Sequence, residues 1–245
     1  MDLSNIRLEV GMGMQVHVVE KPGIDSAPQL RWTGKLRPKE TVTVGREGNL
    51  VVGVNPMDKR VSRHAATITA ADRGWCILPT NRNGVTLYPW AQPSYPVSSV
   101  DTIVWPRIGV RIMGDPGLEH LVLLEDDEAY TKGAPRHTTG LTEMAQPIRP
   151  LTPAQKEAVR DVFHDVLAWP PRPAESRILN LKQVAPLLER TPSAVRQRLI
   201  EVRKRAEELG LARQVVELTD PEYIYALVKA GLIEPAPDDL RRPLR

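Results

Sequence analysis

One cysteine and one phenylalanine occur in 245 residues, and aromatic residues make up only 4% of the chain. A single cysteine excludes an intramolecular disulfide and fits a reducing cytoplasm. So few aromatics argue against a surface that stacks unpaired bases. Nowhere does an apolar stretch approach the roughly 18 residues of a membrane-spanning helix. The opening MDLSNIRLEV also lacks a basic segment followed by an apolar run, so neither secretion nor membrane insertion is expected. The histidines at 17, 64, 120, 137 and 164 fall at no metal-ligand spacing, and there is no His-Glu-x-x-His or paired-cysteine pattern. Cys76, between Trp75 and Ile77, reads as a small hydrophobe in a strand. Gly11-Met12-Gly13 lacks the following glycine and lysine of a nucleotide cradle. With no catalytic constellation and no metal pattern, neither enzyme activity nor a cofactor is expected.

What the chain does contain is ordinary for a globular protein: 41% hydrophobic residues, 26% charged, and a formal net charge of +3. Its length suits two domains. The 23 prolines and 16 glycines demand many turns. From Ile6 to Glu125 short β-branched runs follow one another. Strands are expected at Ile6–Val10, Gln15–Val19, Thr41–Val44, Leu50–Val54, Ala65–Thr69, Trp75–Leu78, Gly84–Tyr88, Thr102–Trp105, Val110–Met113 and His120–Leu124. Many short strands bounded by Gly, Pro, Asn and Asp predict an antiparallel β-sandwich over residues 1–125.

Within it, Gly45-Arg46, Ser62-Arg63 and Asn83-Gly84 stand in that order, each in a loop between strand-like segments. Three such motifs in sequence resemble those of a forkhead-associated domain. The chemistry is coherent. A phosphothreonine is a nearly doubly charged anion with three acceptor oxygens, and its site needs converging donors and a fixed cation. Arg46 supplies a planar fork, Ser62 a hydroxyl and Asn83 an amide. The resemblance implies that Arg46 and Ser62 contact the phosphate, that Asn83 holds the peptide main chain, and that Arg63 and Asn81 assist. This chain departs from the family's Ser-Arg-x-His-Ala pattern, because a gapless match puts Ala65 at the bracing histidine's position and His64 at the variable one. Asn81 stands where serine or threonine is usual. A fold of this family that binds protein without phosphate is the alternative.

Residues 126–150 have few branched apolar residues and no sustained period, and read as a flexible linker. Thr131, Thr138, Thr139 and Thr142 read first as plain solvated linker residues, and the alternative is that one of them, phosphorylated, reaches the molecule's own pocket.

Residues 151–212 read as an all-α helix-turn-helix domain. Thr152-Pro153-Ala154-Gln155 opens a helix that Pro170 and Pro171 stop, a second runs about Leu181–Glu189, and Thr191-Pro192 opens a third that Gly210 ends. The stretch from Leu181 to Arg196 resembles the helix-turn-helix of bacterial regulators. That resemblance implies double-stranded DNA as a partner, with Ser193, Arg196 and Gln197 near base edges and Arg198, Arg203 and Lys204 near phosphates. Residues 213–245 form an extension with a wing-like strand at Val215, Val216 and Leu218, a helix from Pro221 that docks on the bundle or on a second copy in a homodimer, and a frayed end. The expected whole is a phosphothreonine-dependent transcription regulator in the cytoplasm, linked to a Ser/Thr kinase. A signalling adaptor in which both modules bind proteins is the alternative.

Overall fold

A computed structural model describes residues 14–23, 26–72, 74–126, 149–171, 178–209 and 217–233. The first part carries eleven strands: β1 (Met14–Lys21), β2 (Gln29–Leu36), β3 (Thr41–Gly45), β4 (Leu50–Val51), β5 (Ala66–Ala70), β6 (Trp75–Pro79), β7 (Val85–Pro89), β8 (Tyr95–Val97), β9 (Asp101–Ile103), β10 (Arg107–Ile112) and β11 (Glu119–Glu125). They form a six-stranded sheet of order β2-β1-β11-β10-β7-β8 and a five-stranded sheet of order β4-β3-β5-β6-β9. All pairings are antiparallel except β3 with β4. Val16, Val18, Ile68, Ile77, Leu87, Ile108, Val110, Val122 and Leu124 are fully buried in one cluster between the sheets. The sandwich expected over this region is therefore present.

The helices are α1 (Pro153–Val162), α2 (His164–Leu167), α3 (Leu181–Leu187), α4 (Pro192–Glu208) and α5 (Glu222–Lys229). Capping residues define the starts of α1, α3 and α4. Thr152 and Gln155 make a capping box before α1, as do Asn180 and Gln183 before α3, and the Thr191 hydroxyl accepts from the Ala194 N–H at 3.2 Å before α4. Val159, Phe163, Val184, Leu199, Val202, Tyr223 and Leu227 meet in the bundle's core.

That core does not close on itself. Val19 from β1 and Leu121 and Leu123 from β11 face away from the sandwich interior and belong to the helical cluster, with Trp90 and Ala91 from the end of β7. β11 is thus buried on both faces, which its run His-Leu-Val-Leu-Leu reflects. Polar ties cross the same boundary. Trp90 Nε1 donates to the Leu167 carbonyl at 2.9 Å, Gln92 Nε2 to the Tyr225 carbonyl at 3.1 Å, and Trp169 Nε1 to Glu125 Oε1 at 2.6 Å. Glu125 Oε2 in turn pairs with Arg107 at 3.1 Å.

Some elements differ from the sequence reading. β2 was not expected, because nearly all its residues are exposed and only Leu36 is buried, so no alternation betrays it. It is an edge strand whose Trp32 ring lies over Gly34. β8, of three residues, is also additional. The first helix breaks at Phe163, which leaves helical geometry while its buried ring packs edge-on against Tyr223 at 5.6 Å. Of the wing-like strand expected at Val215, Val216 and Leu218, the first two lie outside the described residues, and Leu218 lies in a turn, where its carbonyl accepts from the Tyr223 hydroxyl at 2.6 Å. α5 docks on the bundle of its own chain through Tyr223, Ile224 and Leu227. The strand expected at residues 6–10, residues 127–148 of the expected linker with its four threonines, and the segment from 234 onward lie outside the described residues.

Candidate functional site

Three loops meet at one end of the sandwich because main-chain hydrogen bonds tie them. β3 ends at Gly45, whose φ of +151° suits glycine; a Cβ there would lie 2.2 Å from the Arg63 carbonyl oxygen. That approach lets the Arg46 N–H donate to the Ser62 carbonyl at 3.1 Å and the Glu47 N–H to the Arg63 carbonyl at 2.9 Å. The Ala65 N–H reaches the Val44 carbonyl at 2.7 Å, and the Thr80 N–H reaches the Ala65 carbonyl at 3.0 Å. Thr80 Oγ1 also donates to the His64 carbonyl at 3.0 Å. Residues 46–47, 62–65 and 80–84 therefore form one rim. Gly84 turns its end with φ +65°, hard against the Val97 carbonyl.

Arg46 is half-buried, and its Nε donates to the Val61 carbonyl at 2.7 Å. Among the described residues no carboxylate pairs with it, so both terminal nitrogens of the fork remain available. The Ser62 hydroxyl is half-buried and unbonded among the described residues. Arg63 is exposed and pairs with Glu47 at 3.5 Å. Asn83 is exposed. Asn81 has both amide atoms shielded from solvent with no hydrogen-bond partner. The rim also brings in exposed Arg82, a cation that the motif pattern did not single out. Ala65 is fully buried, so its short side chain adds only packing where the family's pattern has a histidine.

Behind the rim lies a cluster that sequence reasoning missed. His120 of β11, 1% exposed, sits between two carboxylates: Nδ1 is 2.8 Å from Glu20 Oε1 and Nε2 is 3.0 Å from Asp58 Oδ2. Glu20 Oε1 also accepts from the Gly53 N–H at 2.6 Å, and Glu20 Oε2 lies 3.5 Å from Arg31. Asp58 accepts from the N–H groups of Asp115 at 2.7 Å and Arg60 at 2.9 Å. Burial alone pushes the His120 pKa down, but hydrogen bonds to Glu20 and Asp58, with their charges, outweigh it and hold the imidazole above its ordinary 6.5. Burial likewise pushes both carboxyls up. The His120 contact and the Gly53 N–H bring Glu20 below its usual range, and the Asp115 N–H and His120 do so for Asp58. A histidine pointing inward within an apolar strand was the available signal.

No family model matches the chain, and none of the curated proteins matches it either. Among solved structures, the crystal structure of Mycobacterium tuberculosis Rv1747 FHA-1 matches. The two chains share 17% sequence identity, the match covers 46% of this chain and 96% of that one, and the TM-score is 0.30.

In the helical module, α3 and α4 are joined through residues 188–191, where Glu189 takes a φ of +49° and the Arg190 N–H closes back on the Ala185 carbonyl at 2.9 Å. Pro186 lies inside α3, one residue before its end. Ser193, Arg196 and Gln197 are exposed on α4, as is Lys204. The other basic candidates are engaged within the chain. Arg198 is turned toward α1 and pairs with Glu157 at 3.7 Å, and Arg203 pairs with Glu207 at 3.3 Å. Lys204 itself pairs with Glu201 at 3.1 Å. Arg196, Ile200 and Arg203 line a cavity of about 340 Å³ with Glu217 and Leu218.

Gly84, before β7, belongs to the rim; Trp90, after it, bonds to the helices. Five strand residues span roughly 17 Å.

Proposed function

We propose that this protein reads a phosphothreonine in a protein partner with the loop rim of the sandwich and contacts duplex DNA with α3–α4, acting as a phosphorylation-dependent transcription regulator that binds rather than catalyses. The observation that carries the first half is Arg46. Its guanidinium is pinned through Nε to the Val61 carbonyl, no described residue takes its terminal nitrogens, and its own N–H ties it to the Ser62 carbonyl at 3.1 Å. A fork held this way has lost most of its conformational freedom before a ligand arrives, which favours bidentate capture of an oxyanion. The unpaired, shielded amide of Asn81 supports the same reading, since an unsatisfied buried polar group costs about 1–3 kcal/mol and a ligand can recover part of it. Asn83, exposed at the end of the rim, is the group for the peptide main chain. A Ser/Thr kinase would supply the modified partner, in the cytoplasm.

Ser193, Arg196 and Gln197 at the start of α4 support the second half, with Lys204 further along for a phosphate. A second reading is favoured by the ion pairs of Arg198, Arg203 and Lys204 with acidic residues: a helical surface for another protein, which would make the chain an adaptor. Titrating the full chain against random-sequence duplex DNA at several salt concentrations separates the two. A DNA reader loses affinity with a log–log slope of about one per phosphate contacted, and Arg196→Ala lowers the affinity. Absence of binding at low salt would leave the adaptor.

A further inference from the structure

The phosphate loop of this chain lacks the histidine that braces it in the resembling family, yet a different histidine lies behind it. We propose that the buried Glu20–His120–Asp58 cluster is the positioning device of the Ser62–Arg63 loop, and that it makes phosphopeptide binding weaken as His120 loses its second proton. The proposal rests on the phosphothreonine reading of the rim.

The geometry is a continuous chain of bonds. Both ring nitrogens of His120 face carboxylate oxygens, at 2.8 and 3.0 Å, and an imidazole donates on both sides only when doubly protonated. The Asp58 end then carries the loop. Its Oδ1 accepts from the Arg60 N–H at 2.9 Å, its main-chain carbonyl accepts from the Val61 N–H at 3.2 Å, and the Val61 carbonyl is the acceptor that pins Arg46 Nε at 2.7 Å. Ser62 follows directly. The Glu20 end holds the start of the same loop through the Gly53 N–H, and Gly53 donates no spare room: a Cβ there would lie 2.7 Å from a Val61 methyl. Gly114 packs as closely on the other side, where a Cβ would meet Asp58 Oδ2 and the His120 ring. The cluster is thus enclosed by β1, β11, the 53–61 loop and the 114–115 turn.

The charged groups facing His120 are Glu20 on β1 and Asp58 on the loop. Arg31 of β2 lies 3.5 Å from Glu20, and Arg60 lies 3.7 Å from Asp115 beside Asp58. With the ring protonated, the two carboxylates, the imidazolium and Arg31 balance. When the ring loses a proton, one carboxylate keeps no donor from it, and two anions face each other across a neutral ring. Asp58 is the partner on a loop rather than on a strand, so it is the one released, and Val61 and the fork of Arg46 move with it. This dependence is distinguishable from that of the ligand by its sign, because a phosphate ester with a second pKa of about 6 only gains negative charge as pH rises and its own titration can only strengthen binding.

The test follows the full chain by NMR between about pH 6 and pH 10, alone and with a degenerate peptide library bearing one fixed phosphothreonine. The His120 ring is expected to titrate above 6.5, with the amides of Arg60, Val61, Ser62 and Arg63 shifting at the same midpoint while those of β9 and the helices stay still. Library affinity is expected to fall about tenfold across that midpoint, the scale of one charge-assisted hydrogen bond. Asp58→Asn removes an attractive charge and should move the midpoint to lower pH; His120→Gln should remove the alkaline fall. Rim amides that ignore the His120 titration, or a flat alkaline binding profile in the wild type, overturn the proposal. If the library binds at no pH, the phosphothreonine reading fails, and the rim amides alone decide whether the cluster positions the loop.

Discussion

Gly45 and Arg46 show how far single residues determine the rim. Gly45→Ala would set a methyl carbon against the Arg63 carbonyl at a φ that side chains rarely adopt, so the 45–47 and 62–63 segments must separate. Loss of peptide binding together with a lowered Tm is expected, readable by calorimetry and titration. The buried cluster gives a pH signature of known sign. Glu20 and Asp58 are held below their ordinary values of 4.5 and 3.8, so their contribution is complete above those values and is lost as pH falls through the lower, folded ones. His120 is held above 6.5, so its contribution is complete below that value and is lost as pH rises through the higher, folded one. Chemical denaturation across pH should place maximum stability in the window between, and His120→Gln should flatten its alkaline side. The motif residues were legible because each lies within a few positions of its glycine or serine landmark. The cluster was not, since its members stand 62 and 100 positions apart and meet only through sheet register and loop closure.

At the scale of elements, capping chemistry and hydrophobic period located the helix starts but not the break at Phe163. Thr152-Pro153 and Thr191-Pro192 open α1 and α4 where they were expected. Thr191→Ala should cost about 1 kcal/mol in urea denaturation, because it orphans the Ala194 N–H. Leu199→Ala, emptying a fully buried site on α4, should cost about 2–5 kcal/mol. Strands were legible where one face is buried and the other wet. β2 escaped because its edge position leaves almost nothing buried, and β11 was recognised without its consequence, that Leu121 and Leu123 face something other than the sandwich. Pattern alone states that a strand is apolar on both sides. It does not state which element covers the second side.

For the whole molecule, that second side is the finding that alters the picture of two tethered modules. The helical core includes Val19, Trp90, Leu121 and Leu123 of the sandwich, and three tryptophan or glutamine hydrogen bonds cross the boundary. The described residues should therefore unfold in one calorimetric transition, and Leu123→Asp should split it in two by placing a charge in the shared core. Among them, no helix is long and apolar enough to cross a membrane. The docking fixes the helices on the face of the six-stranded sheet that carries Val19, Leu121 and Leu123. The central claim, that the rim captures phosphothreonine through Arg46, is tested most directly by titrating the full chain with the fixed-phosphothreonine library, the unphosphorylated library and the Arg46→Ala variant. The expected result is binding near the micromolar range, about −8 kcal/mol, that disappears both without the phosphate and in the variant. Equal binding of the two libraries, or affinity unchanged by Arg46→Ala, would contradict it.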